Sequence, residues 1–175
     1  TSLRDQNRST EDSRMLKCMN ELAKIFLARD KIAQAESMSR NVFERSRLSL
    51  GEKSSVSLRR GQVLVESLRK AGKLDEAEKL SVNLVASMEE ILGRTHPDTL
   101  GAMDALAEIV ISRDELIRGL DLYEQILDSK ERMLGEQHPE TLSTLKAIAR
   151  ILRLQDLPEE AEEIQFIVFT RLKKK

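Results

Sequence analysis

Two stretches of the sequence are nearly the same nine residues, LGRTHPDTL at 92–100 and LGEQHPETL at 134–142. They lie 42 residues apart, and one further step of 42 toward the N-terminus reaches a third Leu-Gly pair at 50–51. The two full copies contain both histidines of the chain, His96 and His138. Either the two histidines form one chemical site, or the motif starts the same structural unit twice.

The 42-residue register continues along the chain as columns of similar residues, which is the signature of a repeat protein. Four of these columns are Leu16, Leu58, Leu100 and Leu142; Leu22, Leu64, Leu106 and Ile148; Val42, Leu84, Ile126 and Val168; and the small residues Ala35, Ala77, Gly119 and Ala161. Phe26, Leu68, Val110 and Leu152 form another, as do Met38, Leu80, Leu122 and Ile164.

Each copy contains two amphipathic helical stripes separated by a break, so each is predicted to form a helical hairpin. The breaks fall near Asp30, Gly72, Asp114 and Asp156. The first helices are predicted near 12–29, 55–71, 97–112 and 139–155. The second helices are predicted near 32–48, 74–91, 115–133 and 158–172.

The His-Pro pairs are interpreted as helix starts. Proline is favoured at the first helical position, where its missing N–H would have no partner in any case. The acidic residues that follow, Asp98 and Glu140, meet the positive end of the helix dipole. Asp12 and Ser54 hold the equivalent capping positions in the first two copies. A metal site needs more ligands than one histidine per turn, so no metal ion or other cofactor is expected.

Composition excludes several classes of function. The chain is 34% charged with a net charge of −1, and aromatic residues make up 3%, so neither nucleic acid nor a membrane surface is an expected partner. No apolar stretch approaches the ~20 residues that span a bilayer. No nucleophile with a base, carboxylate pair or phosphate loop is apparent, so the chain is not expected to be an enzyme.

A single cysteine, Cys18, excludes an internal disulfide and favours a reducing, cytoplasmic location. Its place in an apolar stretch favours a core position over a catalytic one. Because the chain opens with Thr1 rather than Met, it is expected to be part of a longer protein.

The Leu-Ala steps at 22–23 and 106–107, with small residues such as Ala35 later in each copy, resemble the tetratricopeptide repeat. The 42-residue length and the LG-x-x-HP-[DE]-TL motif resemble the kinesin light chain type, which also occurs in NB-ARC and NACHT receptor-like proteins. HEAT and armadillo repeats are of similar length, but they match the helix-start motif and the small residues less well. The resemblance implies an all-α, right-handed α-α superhelix (solenoid) of four helix-turn-helix repeats. The predicted organisation is a polar N-terminal tail at 1–11 and a repeat domain at 12–175, with repeats at about 12–53, 54–95, 96–137 and 138–175.

The resemblance also implies a non-catalytic scaffold for protein–protein interaction that binds a peptide in a concave groove. Kinesin light chains carry paired asparagines in the first helix, of which only Asn20 is present here, so their cargo specificity is not carried over. The groove positions of the pattern contain eight basic and three acidic residues, the third acidic one being Glu66, and this balance favours an acidic peptide. Alternatively, these basic residues are ordinary helix-surface residues, which are as common on one helix face as on another, and they select no ligand. The candidate groove residues are Lys17, Asn20, Lys24, Arg59, Gln62, Arg69, Lys70, Asp104, Glu108, Lys146, Arg150 and Arg153.

A second candidate surface lies near the C-terminus. Phe166 and Ile167 occupy positions that hold Glu124 and Gln125 one copy earlier, and Phe169 is expected on the neighbouring core face, like Leu127. A further repeat, or another copy of the chain, is expected to cover these apolar side chains. The alternative function is therefore a structural module that forms a homo-oligomer or assembles through its last helix.

Overall fold

The protein folds as a series of α-helices, seen in a computed structural model that describes the backbone of residues 3–173 and the side chains of residues 12–173. Within that part of the chain there are eight helices and no strand. Contacts divide the chain into two compact units, unit 1 ending at Ile91 and unit 2 beginning at Leu92. Unit 1 contains α1 (Leu3–Ala28), α2 (Ile32–Leu50), α3 (Ser55–Lys70) and all but the last residue of α4 (Leu74–Leu92). Unit 2 contains α5 (Pro97–Ser112), α6 (Leu116–Leu134), α7 (Pro139–Leu154) and α8 (Pro158–Lys173).

The predicted all-α fold of helical hairpins is confirmed, and helices α2 to α8 begin and end within about two residues of their predicted bounds. The exception is α1, which begins at Leu3 rather than near residue 12. The segment predicted as a polar tail is therefore helical from Leu3, while residues 1 and 2 lie outside the described part. Residues 3–14 contain no Gly or Pro, so nothing in them stops the helix from extending.

The predicted cap at Asp12 is consequently wrong. Asp12 lies inside α1, where its carboxylate accepts a hydrogen bond from Arg45 of α2 at 3.4 Å. Ser54 does occupy the N-cap position of α3, but its side chain makes no capping hydrogen bond.

The break within each hairpin is a left-handed residue at the end of the first helix. One such residue follows each of α1, α3, α5 and α7, and the four are Asp30, Gly72, Asp114 and Asp156, with φ between 58° and 75°. The next backbone N–H reaches back five residues to close the helix, as from Lys31 to Phe26 at 2.9 Å and from Glu115 to Val110 at 3.0 Å. Aspartate tolerates this conformation better than most non-glycine residues, which explains its recurrence here.

The His-Pro motif builds a helix start in both full copies, which confirms the capping interpretation. The Nδ1 atom of His96 accepts a hydrogen bond from the backbone N–H of Asp98 at 3.1 Å. In the equivalent place, Nδ1 of His138 accepts from Glu140 N–H at 3.2 Å. The hydroxyl of Thr99 donates to the carbonyl of Gly93 at 2.8 Å, and this fixes the preceding turn, where Gly93 has φ of 90°. The glycine, the histidine and the threonine of the motif therefore each have a local structural role.

The apolar columns form the core of each unit. The column of Leu16 is buried in all four copies, as is the column of Val42, and the small residues at Ala35, Ala77 and Ala161 have no exposed surface. Burying one leucine contributes about 1.5–3 kcal/mol, so these repeated columns stabilise the fold substantially. Leu22 departs from its column and is 39% exposed, because no helix among the described residues precedes α1 and covers it.

Two further findings concern the exposure of Cys18 and the hydrophobicity of the helices. Cys18 is exposed, so the expectation that it belongs to the core is wrong; it lies beside Leu16 in sequence but on the outer side of α1. Within residues 3–173 no helix is both long and apolar enough to cross a membrane.

Candidate functional site

In unit 1, the predicted groove residues line a cleft between α1 and α3. The cleft has a volume of about 490 Å³. Its lining contains five basic side chains against one acidic side chain. The lining residues are Ser13, Arg14, Lys17, Asn20, Glu21, Lys24, Val56, Arg59 and Arg60. The structure thus brings together four of the predicted residues, Lys17, Asn20, Lys24 and Arg59.

Asn20 lies in this cleft with an unsatisfied side chain. It is only 9% exposed, and its Nδ2 atom donates to Glu21 Oε1 at 3.3 Å. Its Oδ1 atom is buried and has no hydrogen-bond partner, unlike every other buried side-chain oxygen or nitrogen in the described residues. A buried acceptor without a donor costs about 1–3 kcal/mol, so Asn20 is destabilising unless a donor reaches it.

Arg60 is a buried cation in the same cleft. It is 7% exposed, and its Nη1 atom donates to the Ser46 hydroxyl of α2 at 2.7 Å. Burial lowers the pKa of the Arg60 guanidinium, and within residues 12–173 no carboxylate pairs with it. A buried guanidinium that bonds to a neutral hydroxyl has donors left for an anion.

Other predicted cations of unit 1 are held by neighbouring groups on the same helices. Lys24 contacts Glu21 at 2.9 Å, and this contact is the main cause of the lowered pKa of Glu21. Arg69 donates two hydrogen bonds to Glu66, at 2.8 and 2.9 Å. These pairs reduce the positive charge that Lys24 and Arg69 can offer a ligand.

The remaining two predicted residues of unit 1 contact its interior. Lys70 Nζ lies 3.5 Å from the Leu27 carbonyl oxygen of α1. Gln62 is half-buried, and its amide lies 3.8 Å from the Met88 sulfur. Both positions therefore help hold α3 against its neighbours as well as bordering the predicted groove.

In unit 2, the predicted groove positions form an ion-pair network. Glu108 Oε1 accepts from the hydroxyl of Tyr123 at 2.7 Å and also from the guanidinium of Arg150. Asp104, half-buried beside them, has a pKa raised by burial, an effect that the nearby charge of Lys130 partly offsets. Burial also raises the pKa of Tyr123, which therefore acts as a neutral hydrogen-bond donor.

Lys146 and Arg153 of α7 have no hydrogen bond or ion pair in the described part of the chain, and both are exposed. The network thus ties Arg150 to an acidic neighbour and leaves two cations of the same helix facing solvent. The predicted positive charge is therefore arranged differently in the two units, as a basic cleft in unit 1 and as a mixed network in unit 2.

Sequence reasoning missed three contributors, Arg14, Arg60 and Tyr123. Arg14 precedes Lys17 by three residues, so helical spacing alone could have placed it on the same face. Arg60 and Tyr123 lie on core-facing positions, and no local signal distinguishes a buried polar side chain that reaches a cleft from one that does not. The Glu108–Arg150 pair had a signal, because these residues occupy the same position in successive copies with opposite charge.

The predicted apolar surface lies on α8 and is partly exposed. Phe166 is 67% exposed and Phe169 is 52% exposed. Ile167 is instead half-buried against the cluster of Leu142, Leu145 and Val168, so it belongs to the core of unit 2. Among the described residues no group of three or more His, Cys, Asp or Glu side chains could hold a metal ion.

Comparisons with known proteins give a consistent result. Residues 62–98 and 99–140 match the family model for the tetratricopeptide repeat. No curated protein sequence matches the chain significantly.

Solved structures match over nearly the whole length. Nearly identical TPR-like repeats, assigned to a kinesin light chain of Podosopora anserina, match with 22% identity and a TM-score of 0.84, covering 92% of this chain and 76% of theirs. A point variant of that protein gives a TM-score of 0.83 with the same identity and coverage. BtubC (BKLC) from P. vanneervenii matches with 18% identity and a TM-score of 0.79, covering 100% of this chain and 75% of that one. At these identities the likeness concerns the fold.

Proposed function

We propose that the chain is a tetratricopeptide repeat domain of the kinesin light chain-like type, a scaffold for protein–protein interaction, and that it binds an acidic peptide segment in the unit 1 cleft. The observation that carries the proposal is Asn20, whose buried Oδ1 lacks a donor in a cleft lined by five basic side chains and one acidic one. An extended peptide supplies backbone N–H groups that can reach such an acceptor. Its carboxylates would meet the guanidinium groups of the cleft.

Arg60 strengthens the case for an anion. A buried guanidinium without a carboxylate is unfavourable in the free protein, and a ligand carboxylate that enters the cleft would relieve this cost. The exposed cations Lys17 and Arg59 at the cleft edge would steer the approach of an acidic segment. We therefore propose that the unit 1 cleft, rather than the whole set of predicted groove residues, selects an acidic ligand.

The groove positions of unit 2 are proposed to contribute less to charge selection. Arg150 already contacts Glu108, and a ligand carboxylate would have to compete with that side chain. Lys146 and Arg153 are exposed cations and are proposed as weak secondary contacts.

Binding can be tested with a short fluorescein-labelled peptide rich in glutamate, measured by fluorescence anisotropy at low salt. The same peptide with every Glu changed to Gln is the matched ligand control. The double variant Arg14→Glu, Arg59→Glu is expected to weaken binding of the Glu peptide at least about tenfold, because both cations line the cleft. Arg132→Glu, which reverses an exposed charge on α6, is the matched protein control and should leave affinity unchanged.

Asn20→Leu separates a binding role from a structural one. Removing a buried, unsatisfied oxygen is expected to raise the free energy of unfolding, while the loss of the acceptor weakens peptide binding. Equal binding of the Glu and Gln peptides, or unchanged affinity in the Arg14, Arg59 double variant, would contradict the proposal.

The second candidate function is assembly through α8. It is favoured by the exposure of Phe166 and Phe169, which is unusual for large aromatic side chains on a helix that belongs to a packed unit. The two functions use different units and are compatible with each other.

Repeat scaffolds of this kind are generally non-catalytic, and we propose no catalytic role for this chain. We also propose a cytoplasmic location, on the ground that its single cysteine is an exposed thiol with no second cysteine to pair with.

A further inference from the structure

One face of α8 carries two exposed aromatic residues between two opposite charges. Glu162, Phe166, Phe169 and Lys173 follow one another at spacings of four, three and four residues. At 3.6 residues per turn these four positions fall within about 60° of the helix circumference. We call these four residues the α8 stripe.

Neither charged residue at the ends of the stripe forms an ion pair within the described residues. The ammonium group of Lys173 lies 4.3 Å from the centre of the Phe169 ring. Glu162 is exposed and has no hydrogen bond or ion pair within the described residues. The other cation near the end of α8, Arg171, is engaged by Glu131 at 2.6 Å and therefore does not belong to the stripe.

A following hairpin would cover only part of this surface, as the earlier hairpins indicate. Leu127 of α6 occupies the position equivalent to Phe169, and it packs against Leu142 and Leu145 of α7. Glu124, the equivalent of Phe166, stays exposed although α7 follows it. The same position of α2 holds Arg40, whose side chain remains 41% exposed although α3 follows. The position of Phe166 therefore lies at the edge of the contact between hairpins.

We propose that the α8 stripe pairs antiparallel with the α8 stripe of a second copy of the chain. The inference rests on the assembly function proposed above and specifies its geometry. With the two-fold axis between residues 167 and 168, Phe166 faces the partner subunit's Phe169, and Glu162 faces the partner subunit's Lys173. Both contacts occur twice, as a two-fold interface requires.

The charges select the antiparallel direction. A parallel pair would place each Glu162 beside the partner subunit's Glu162 and each Lys173 beside the partner subunit's Lys173, and both contacts would be repulsive. The antiparallel pair turns all four charges into attractive contacts. The aromatic residues at the centre supply the affinity, and the charges at the rim set direction and register.

The first test is the concentration dependence of mass for the 175-residue chain, measured by analytical ultracentrifugation. A monomer–dimer equilibrium is expected, and Phe166→Glu should weaken dimerisation at least about a hundredfold. Circular dichroism of the same variant should show an unchanged thermal midpoint, because Phe166 is mostly exposed. Leu48→Glu changes another exposed apolar side chain, at 87% exposure on α2, and should leave the dimer unchanged.

The second test exchanges the charges. Glu162→Lys and Lys173→Glu should each weaken the homodimer, and the double variant should restore it. An equimolar mixture of the two single variants should form heterodimers, because each interface contact then joins opposite charges. A parallel pair would also form these heterodimers, but its like charges already repel, so neither single change would weaken it further. The loss in each single variant and its recovery in the double variant therefore identify the antiparallel direction.

A chain that stays monomeric at every concentration would overturn the proposal, and so would a dimer that is indifferent to Phe166→Glu. The monomeric outcome would leave a following repeat or a different protein as the occupant of the stripe. The peptide assay above can be repeated with the Phe166→Glu variant, since its cleft lies in unit 1. Failure of either proposal can therefore be recognised without the other.

Discussion

The Nδ1 atom of His96 accepts a hydrogen bond from the backbone N–H of Asp98 at 3.1 Å and thereby caps the start of helix α5. The same arrangement recurs with His138 and Glu140 at the start of α7, at 3.2 Å. These histidines have the positions and the spacing that could suggest a shared chemical site, yet each one satisfies a donor of its own helix. Their recurrence reflects the repeat rather than a reaction.

Changing His96 to Ala should lower the free energy of unfolding by about 0.5–2 kcal/mol, because the first turn of α5 loses its side-chain acceptor. His96→Asn should keep most of the stability, since asparagine is a good N-cap residue. Urea denaturation followed by circular dichroism would measure both. Equal losses in the two variants would show that the imidazole stabilises the protein by some means other than capping.

Changing Gly119 to Ala should destabilise unit 2, although alanine is the residue at this position in the other three copies. A Cβ atom on Gly119 would lie 2.5 Å from Cγ1 of Ile111, a distance that forces one side chain to move. Crowding of this kind typically costs about 1–3 kcal/mol. The double variant with Ile111→Ala should be less destabilised than the sum of the two single changes. Strict additivity in urea denaturation would contradict the packing account.

Changing Tyr123 to Phe should cost about 0.5–1.5 kcal/mol, the usual net contribution of one hydrogen bond. The hydroxyl of Tyr123 donates to Glu108 at 2.7 Å, and the residue is 2% exposed, so water cannot easily replace the phenol. The contact of Glu108 with Arg150 should contribute less, below about 1 kcal/mol, because those side chains are 31% and 50% exposed. A double-mutant cycle at each contact would compare them, and a larger coupling for the arginine would contradict this ranking.

Changing Asp104 to Asn should alter the dependence of stability on pH. Burial raises the pKa of Asp104 in the folded protein above its ordinary value of 3.8, so the folded state binds this proton more tightly than the unfolded state does. The contribution of Asp104 to stability therefore falls as the pH rises above 3.8 toward the raised pKa and stays low above it. Urea midpoints of the two proteins across the acidic range should diverge with rising pH in favour of the Asn variant. Parallel curves would contradict the raised pKa.

Helix type, helix bounds and repeat length were predictable from sequence because their causes are local. Apolar spacing, proline and capping residues act within about one helical turn. The prediction failed at α1, where the absence of a stop signal in residues 3–14 outweighed the expected cap at Asp12. It also failed at Cys18 and Leu22, whose burial depends on whether another helix covers that side of α1.

The sequence by itself determined four hairpins of 42 residues, the capping role of His96 and His138, and the exposure of an aromatic pair on the last helix. Only the tertiary structure decided which charged groups are engaged. It buries Arg60 beside Ser46, leaves Asn20 without a donor, and joins Arg150 to Glu108 across 42 residues of chain. The physical reason is that the two kinds of interaction act over different separations in sequence. Helix formation depends on neighbours a few residues away, whereas the partner of a long charged side chain depends on packing between segments that are distant in sequence.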